Sequence, residues 1–142
     1  MTTNQQINNI ANILFGLTGG TAANIAAPAN YYIGLLTATP NPDGTNTVEV
    51  STVGTGYARQ ILPNNKTALT MSNNGQVSNV SDLNFPTATA SWGSVTDVGI
   101  FDSLTGGNLL YFSHQAVPKA FDTGDVAYFS NGDVLWSLQN IA

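Results

Sequence analysis

Charged side chains are scarce in this chain: Asp, Glu, Lys and Arg make up 8% of its 142 residues, against roughly 25% in an ordinary globular protein. Three basic residues, Arg59, Lys66 and Lys119, stand against eight acidic ones, and the formal net charge is -5. Nucleic-acid backbones are held by clustered Lys and Arg, so this balance argues against a nucleic-acid partner. Cysteine is absent, which excludes disulfides and thiolate metal sites and leaves the redox compartment open. His114 is the single histidine and Glu49 the single glutamate, so little is available for acid–base chemistry. No apolar run approaches the roughly 20 residues of a membrane span. The opening Met1-Thr2-Thr3-Asn4-Gln5-Gln6 lacks the positive charge of a signal peptide. A soluble protein made in the cytoplasm is expected, with neither membrane nor nucleic acid as partner.

What the chain has instead is Asn, Thr, Ser and Gln. Such a surface can lie against another protein without desolvating ions, a step that costs several kcal/mol per ion. This composition suits a subunit packed in an assembly. The 42% hydrophobic fraction is ample for a core, and the length suits one domain. Fourteen Gly and six Pro, spread along the chain, indicate many turns rather than long helices.

Residues 1–29 differ from the rest and read as an N-terminal helix and connector arm. Ile7, Ile10, Ala11, Leu14 and Phe15 follow the i, i+3, i+4, i+7, i+8 spacing of an amphipathic helix. Its other face carries Gln5, Asn8, Asn9 and Asn12, and so short and Asn-rich a helix is marginal alone. Ile7, Ile10, Leu14 and Phe15 therefore form the expected interface, either with the chain's own domain or with a neighbouring subunit or shell. Residues 30–142 have strand character. The run Tyr31–Thr37 ends at Pro40 and Pro42, Val48–Val50 reads as a short edge piece, and Tyr57–Leu62 stops at Pro63. Thr67–Met71 and Gln76–Val80 flank Asn73-Asn74-Gly75, and Asn-Gly is the strongest short hairpin signal. Val95–Phe101, Asn108–Ser113, Val126–Phe129 and Val134–Leu138 complete the set. Short strands with regularly spaced turns predict an all-β, antiparallel β-sandwich or jelly-roll-like domain.

Candidate chemistry is sparse. A hydrolytic triad needs a nucleophile and an orienting carboxylate around His114. Its neighbour Ser113 points to the opposite face of a strand, and Gly93-Ser94-Val95 lacks the Gly-x-Ser-x-Gly elbow. Asp97, Asp102, Asp122, Asp125 and Asp133 sit mostly beside turns, where Asp bonds its own backbone. Asp122, Asp125 and Asp133 hold Ca²⁺ only if their loops converge. Most aromatics fall in strands and are expected in the core. Trp92, in the polar stretch 87–94, is the best exposed aromatic for glycan contact. Arg59, the only arginine, is expected to pair with Glu49 and hold register. Neither catalysis nor a cofactor is expected.

Several segments carry a resemblance. These are Tyr32-Ile33-Gly34-Leu35-Leu36-Thr37-Ala38-Thr39-Pro40, Glu49-Val50, Gly54-Thr55-Gly56-Tyr57-Ala58-Arg59-Gln60 and Asp82-Leu83-Asn84-Phe85-Pro86. Trp92 to Asp102 and Gly106-Gly107-Asn108-Leu109-Leu110 continue the series. Together they resemble small structural proteins of tailed bacteriophages that are often labelled tail fibre and look similar to capsid cement or decoration proteins. The resemblance implies a virion component. A long trimeric shaft or repeats would be expected of a receptor-binding fibre, and the chain has neither. A cement protein on the capsid surface is the expectation, with the major capsid protein and copies of itself, as a homotrimer, for partners. A tail fibre or tail-associated glycan-binding component is the alternative.

Overall fold

The computed structural model describes residues 1–4, 28–72 and 75–137. Ten strands are present among them: β1 (Asn30–Ala38), β2 (Val48–Glu49), β3 (Gln60–Pro63), β4 (Leu69–Met71), β5 (Gln76–Asn79), β6 (Leu83–Asn84), β7 (Gly93–Phe101), β8 (Leu109–Phe121), β9 (Tyr128–Phe129) and β10 (Leu135–Ser137). The domain is all-β with antiparallel pairing, as the alternation of apolar residues and turns predicts. The expected N-terminal helix, with Ile7, Ile10, Leu14 and Phe15, lies outside the described residues. No helix among those residues is long and apolar enough to cross a membrane.

The arrangement differs from a jelly roll. One sheet of five strands runs β2-β1-β7-β8, with β3 also paired to β1. A three-stranded sheet (β10-β5-β4) and a two-stranded ribbon (β6-β9) complete it. The physical reason is strand length. Only β1, β7 and β8 are long enough to build a broad sheet, and every other strand is two to four residues long.

Both faces of the large sheet are used, because side chains alternate along a strand. Ile33 and Leu35 of β1, with Val98 and Ile100 of β7, face the main core. An aromatic group of Tyr57, Phe85, Trp92 and Phe121 fills much of that core, with ring centroids 5.4–6.4 Å apart. Leu36, Phe101, Leu109 and Phe112 form a smaller cluster on the opposite face. Buried on both sides, the middle of β1 reads as a near-continuous apolar run.

A bulge and the chain start shape the free side of β8. Between Val95 and Asp97, β7 advances two residues while β8 runs from Lys119 to His114. The extra β8 residues bulge outward with Val117 and Pro118 exposed. Bulges, Pro and Lys are devices that blunt an edge strand against chance pairing. The other half of β8 is covered by the chain start. Thr3 N–H donates to the Leu110 carbonyl at 2.8 Å, Phe112 N–H to the Met1 carbonyl at 3.0 Å, and the Met1 amine to the Phe112 carbonyl.

Candidate functional site

The densest polar constellation centres on Arg59. Three elements bring it together: Glu49 from β2, Tyr57 and Arg59 from the segment before β3, and the loop 102–108 between β7 and β8. Arg59 Nε donates to Glu49 Oε1 at 2.9 Å and Nη2 to Oε2 at 2.7 Å. This is the bidentate fork that an arginine and a carboxylate make when both are held still. Nη1 donates to the carbonyls of Ser103 at 2.6 Å and Gly106 at 2.8 Å. The guanidinium carbon sits 3.5 Å from the centre of the Phe101 ring, a cation–π contact. The pairing of Arg59 with Glu49 expected from sequence is therefore present. It also pins the β7–β8 loop, which sequence reasoning missed.

Tyr57 extends the network into the sheet. On its outer side β1 is shared by β3, opposite Asn30–Ile33, and β2, opposite Leu36–Ala38. Between these two ladders the Leu35 amide donates to the Tyr57 hydroxyl at 2.8 Å, and that hydroxyl donates to Glu49 Oε1 at 2.6 Å. One phenol thus fills the gap in the ladder and orients the carboxylate. Burial, followed by the Glu49 negative charge, pushes its pKa well above the ordinary tyrosine value. It remains a donor throughout the physiological range.

A pair of glycines makes room for this network. Gly34 and Gly99 lie opposite each other on β1 and β7. A Cβ on Gly34 would come within 2.8 Å of both Glu49 Oε1 and the Phe101 ring. One on Gly99 would meet Leu109 at 2.8 Å and the Phe101 ring at 3.0 Å. The empty side-chain space is what Phe101 and Glu49 occupy. A shallow groove of about 320 Å³ runs over the constellation, with Asp43, Thr47 and Asn108 on its walls. Since four guanidinium N–H···O bonds end on protein oxygens, this is a clamp rather than an anion site.

The lone histidine belongs to a second cluster. Thr39 Oγ1 donates to Asp97 Oδ2 at 2.8 Å, and His114 Nδ1 lies 3.2 Å from both Asp97 Oδ1 and Thr39 Oγ1. Asp97 is fully buried and His114 exposed. A nucleophile relay needs the hydroxyl on one ring nitrogen and the carboxylate on the other. Here both approach Nδ1, and the threonine proton is directed at the carboxylate. The cluster fastens the end of β1 to β7 and β8. Asp97, grouped with the aspartates beside turns, is a fully buried residue of the strand read at Val95–Phe101.

The remaining sequence candidates fall in separate places. Trp92, expected on the surface, is 4% exposed, and its indole N–H donates to the Thr55 carbonyl at 2.9 Å. Its rings are enclosed by Tyr57, Phe85 and Phe121, so the exposed face required for stacking on a sugar is not available. Asp102, Asp125 and Asp133 bond the backbone of their own turns, at Asn108, Asp122 and Ser130. Among the described residues no three carboxylate or imidazole groups meet to hold a metal, so Asp122, Asp125 and Asp133 do not form the Ca²⁺ site that convergence would have made. The stripe Ile7, Ile10, Leu14 and Phe15 lies outside the described residues.

A family model described as podophage GP4 fiber I protein gp80 matches residues 2–137. No curated protein matches the chain.

Proposed function

Because this chain belongs to the podophage GP4 fiber I protein gp80 family, it is a structural protein of the tailed-phage virion, and we propose that it serves there as a non-catalytic component of the fibre apparatus. The observation that carries this reading is the extent of the family match, which takes in every described strand. The side-chain chemistry supports it. The only arginine, the only glutamate and the only histidine are all committed to bonds that hold strands and loops together. The protein's work then falls to its surface, which carries few charges for its size and meets other virion proteins. The same surface suits cement on the outer capsid, with contacts to the major capsid protein and to copies of itself in a trimer, but the family's description favours the fibre.

Copy number and position separate the two. Purified particles would be analysed by quantitative mass spectrometry, with antibody-gold labelling to locate the chain. A handful of copies at the tail or its fibres fits the proposal. Hundreds distributed over the head would replace it with the cement reading, and absence from the particle would end both.

A further inference from the structure

The backbone around β6 and β9 forms a longer ribbon than the two paired residues of each strand suggest. Leu83 pairs with Phe129 and Asn84 with Tyr128. The Phe85 amide then donates to the Ala127 carbonyl at 2.9 Å and the Ala88 amide to the Asp125 carbonyl at 2.8 Å. At the other end the Asn131 amide donates to Asp82 Oδ1 at 2.9 Å. Alternation gives the ribbon two unlike faces. Leu83, Phe85, Ala127 and Phe129 turn inward and pack on the core. Asn84, Pro86, Val126 and Tyr128 turn outward, Val126 being 42% and Tyr128 63% exposed.

Carboxylates flank this face along the chain. Asp82, Asp122, Asp125 and Asp133 are exposed at the ends of the ribbon and its connecting turns, and they are half of the chain's eight acidic residues. Asp82, Asp125 and Asp133 each use one oxygen on a backbone amide. Among the described residues none of the four has an ion-pair partner. An aromatic and aliphatic centre inside a polar rim is the anatomy of a protein–protein contact, with tyrosine among the favoured anchors.

Resting on the reading of the chain as a virion component, we propose that the outward face of this ribbon docks another virion protein whose contacting surface is basic around an apolar centre. Charge complementarity identifies that occupant. A second copy of this chain cannot supply it: Arg59 is enclosed in its clamp, which leaves Lys66 and Lys119 as the only other basic side chains. Two copies meeting here would bring net charges of -5 together.

The test is competitive incorporation. Host cells expressing a tagged copy are infected with the phage that encodes the chain, and the tagged-to-untagged ratio in purified particles is read by mass spectrometry. Four variants are compared: untouched sequence, Tyr128→Ser, the quadruple Asp82, Asp122, Asp125 and Asp133→Asn, and Ile61→Ser, an exposed site opposite Tyr32 on the far face of the large sheet. Asparagine keeps the oxygen that each turn uses and removes only the charge. Incorporation is expected to fall about tenfold for Tyr128→Ser and severalfold for the quadruple variant, with Ile61→Ser unchanged and all four melting normally. Ratios within twofold of the untouched sequence for both face variants would overturn the proposal. So would sedimentation that shows an oligomer of the purified chain dissociated by Tyr128→Ser, since the occupant would then be a second copy. Absence of the untouched chain from particles is a different result, and it removes the virion reading itself.

Discussion

Glu49→Gln is the sharpest probe of the clamp, because it keeps the shape of the side chain and removes its charge. Glu49 accepts from Arg59 Nε and Nη2 and from the Tyr57 hydroxyl. A glutamine must turn its NH₂ group toward one of these donors, and at least one of the three bonds is lost. Arg59, with 7% of its side chain exposed, is then a buried cation without its counter-charge, held by two carbonyls, the Phe101 ring and the neutral glutamine oxygen. Breaking a buried ion pair on one side costs about 3–5 kcal/mol. The Glu49 side chain is 22% exposed, so water screens its outer edge and the low end applies. About 3 kcal/mol is expected, which lowers Tm by roughly 10 °C in a chain of this length. Urea unfolding and calorimetry of both proteins measure it. A double-mutant cycle with Arg59→Met adds a second check: a coupling energy of about 2 kcal/mol is expected for partners in one network. A loss below about 1 kcal/mol would place the pair with ordinary surface salt bridges and refute the clamp.

Two further outcomes follow from the same constellation. Gly34→Ala drives a methyl group to within 2.8 Å of Glu49 Oε1 and the Phe101 ring; overpacking of this kind costs about 1–3 kcal/mol, and equilibrium unfolding should show it, whereas an unchanged midpoint would mean the slot is looser than drawn. The Tyr57 phenol has a folded-state pKa raised above its unfolded value near 10, so its contribution to stability is intact below pH 10 and is lost as pH rises beyond it. Above pH 10 the unfolding free energy should therefore carry an extra fall of about 1.4 kcal/mol per pH unit for this one proton, and Tyr57→Phe should remove that component of the slope. A slope identical in the two proteins would contradict the buried, Glu49-facing phenol.

The large elements were legible and the site was legible in part. The apolar run at Tyr31–Thr37, stopped by Pro40 and Pro42, located β1, since a strand buried on both faces has to be apolar nearly throughout, and the strand read at Val95–Phe101 is β7. The Arg59–Glu49 pair could be anticipated because the chain holds one of each residue and places them ten positions apart across a turn. Tyr57 was placed in a strand, but β3 begins only at Gln60. Its hydroxyl is used by Leu35, 22 residues away, and nothing local announces that. Trp92 looked exposed because the stretch around it is rich in Thr, Ala and Ser, yet its N–H finds the Thr55 carbonyl 37 residues earlier. Asp97 was grouped with the turn aspartates although it lies inside the strand read at Val95–Phe101, and its side-chain partners, Thr39 just past β1 and His114 in β8, come from elsewhere in the fold.

Composition and periodicity were enough to establish an antiparallel β protein with little catalytic equipment and a surface fitted for protein contacts, because burial pattern, turn chemistry and charge are local properties of the chain. The number and order of the sheets, the burial of Trp92 and Asp97, the clamp over the glycine slot and the outward face around Tyr128 depended on which strands became neighbours. That choice is made by long-range packing. Satisfying a buried amide or carboxylate requires a partner from wherever the fold brings one, and the identity of that partner is written in the tertiary structure alone.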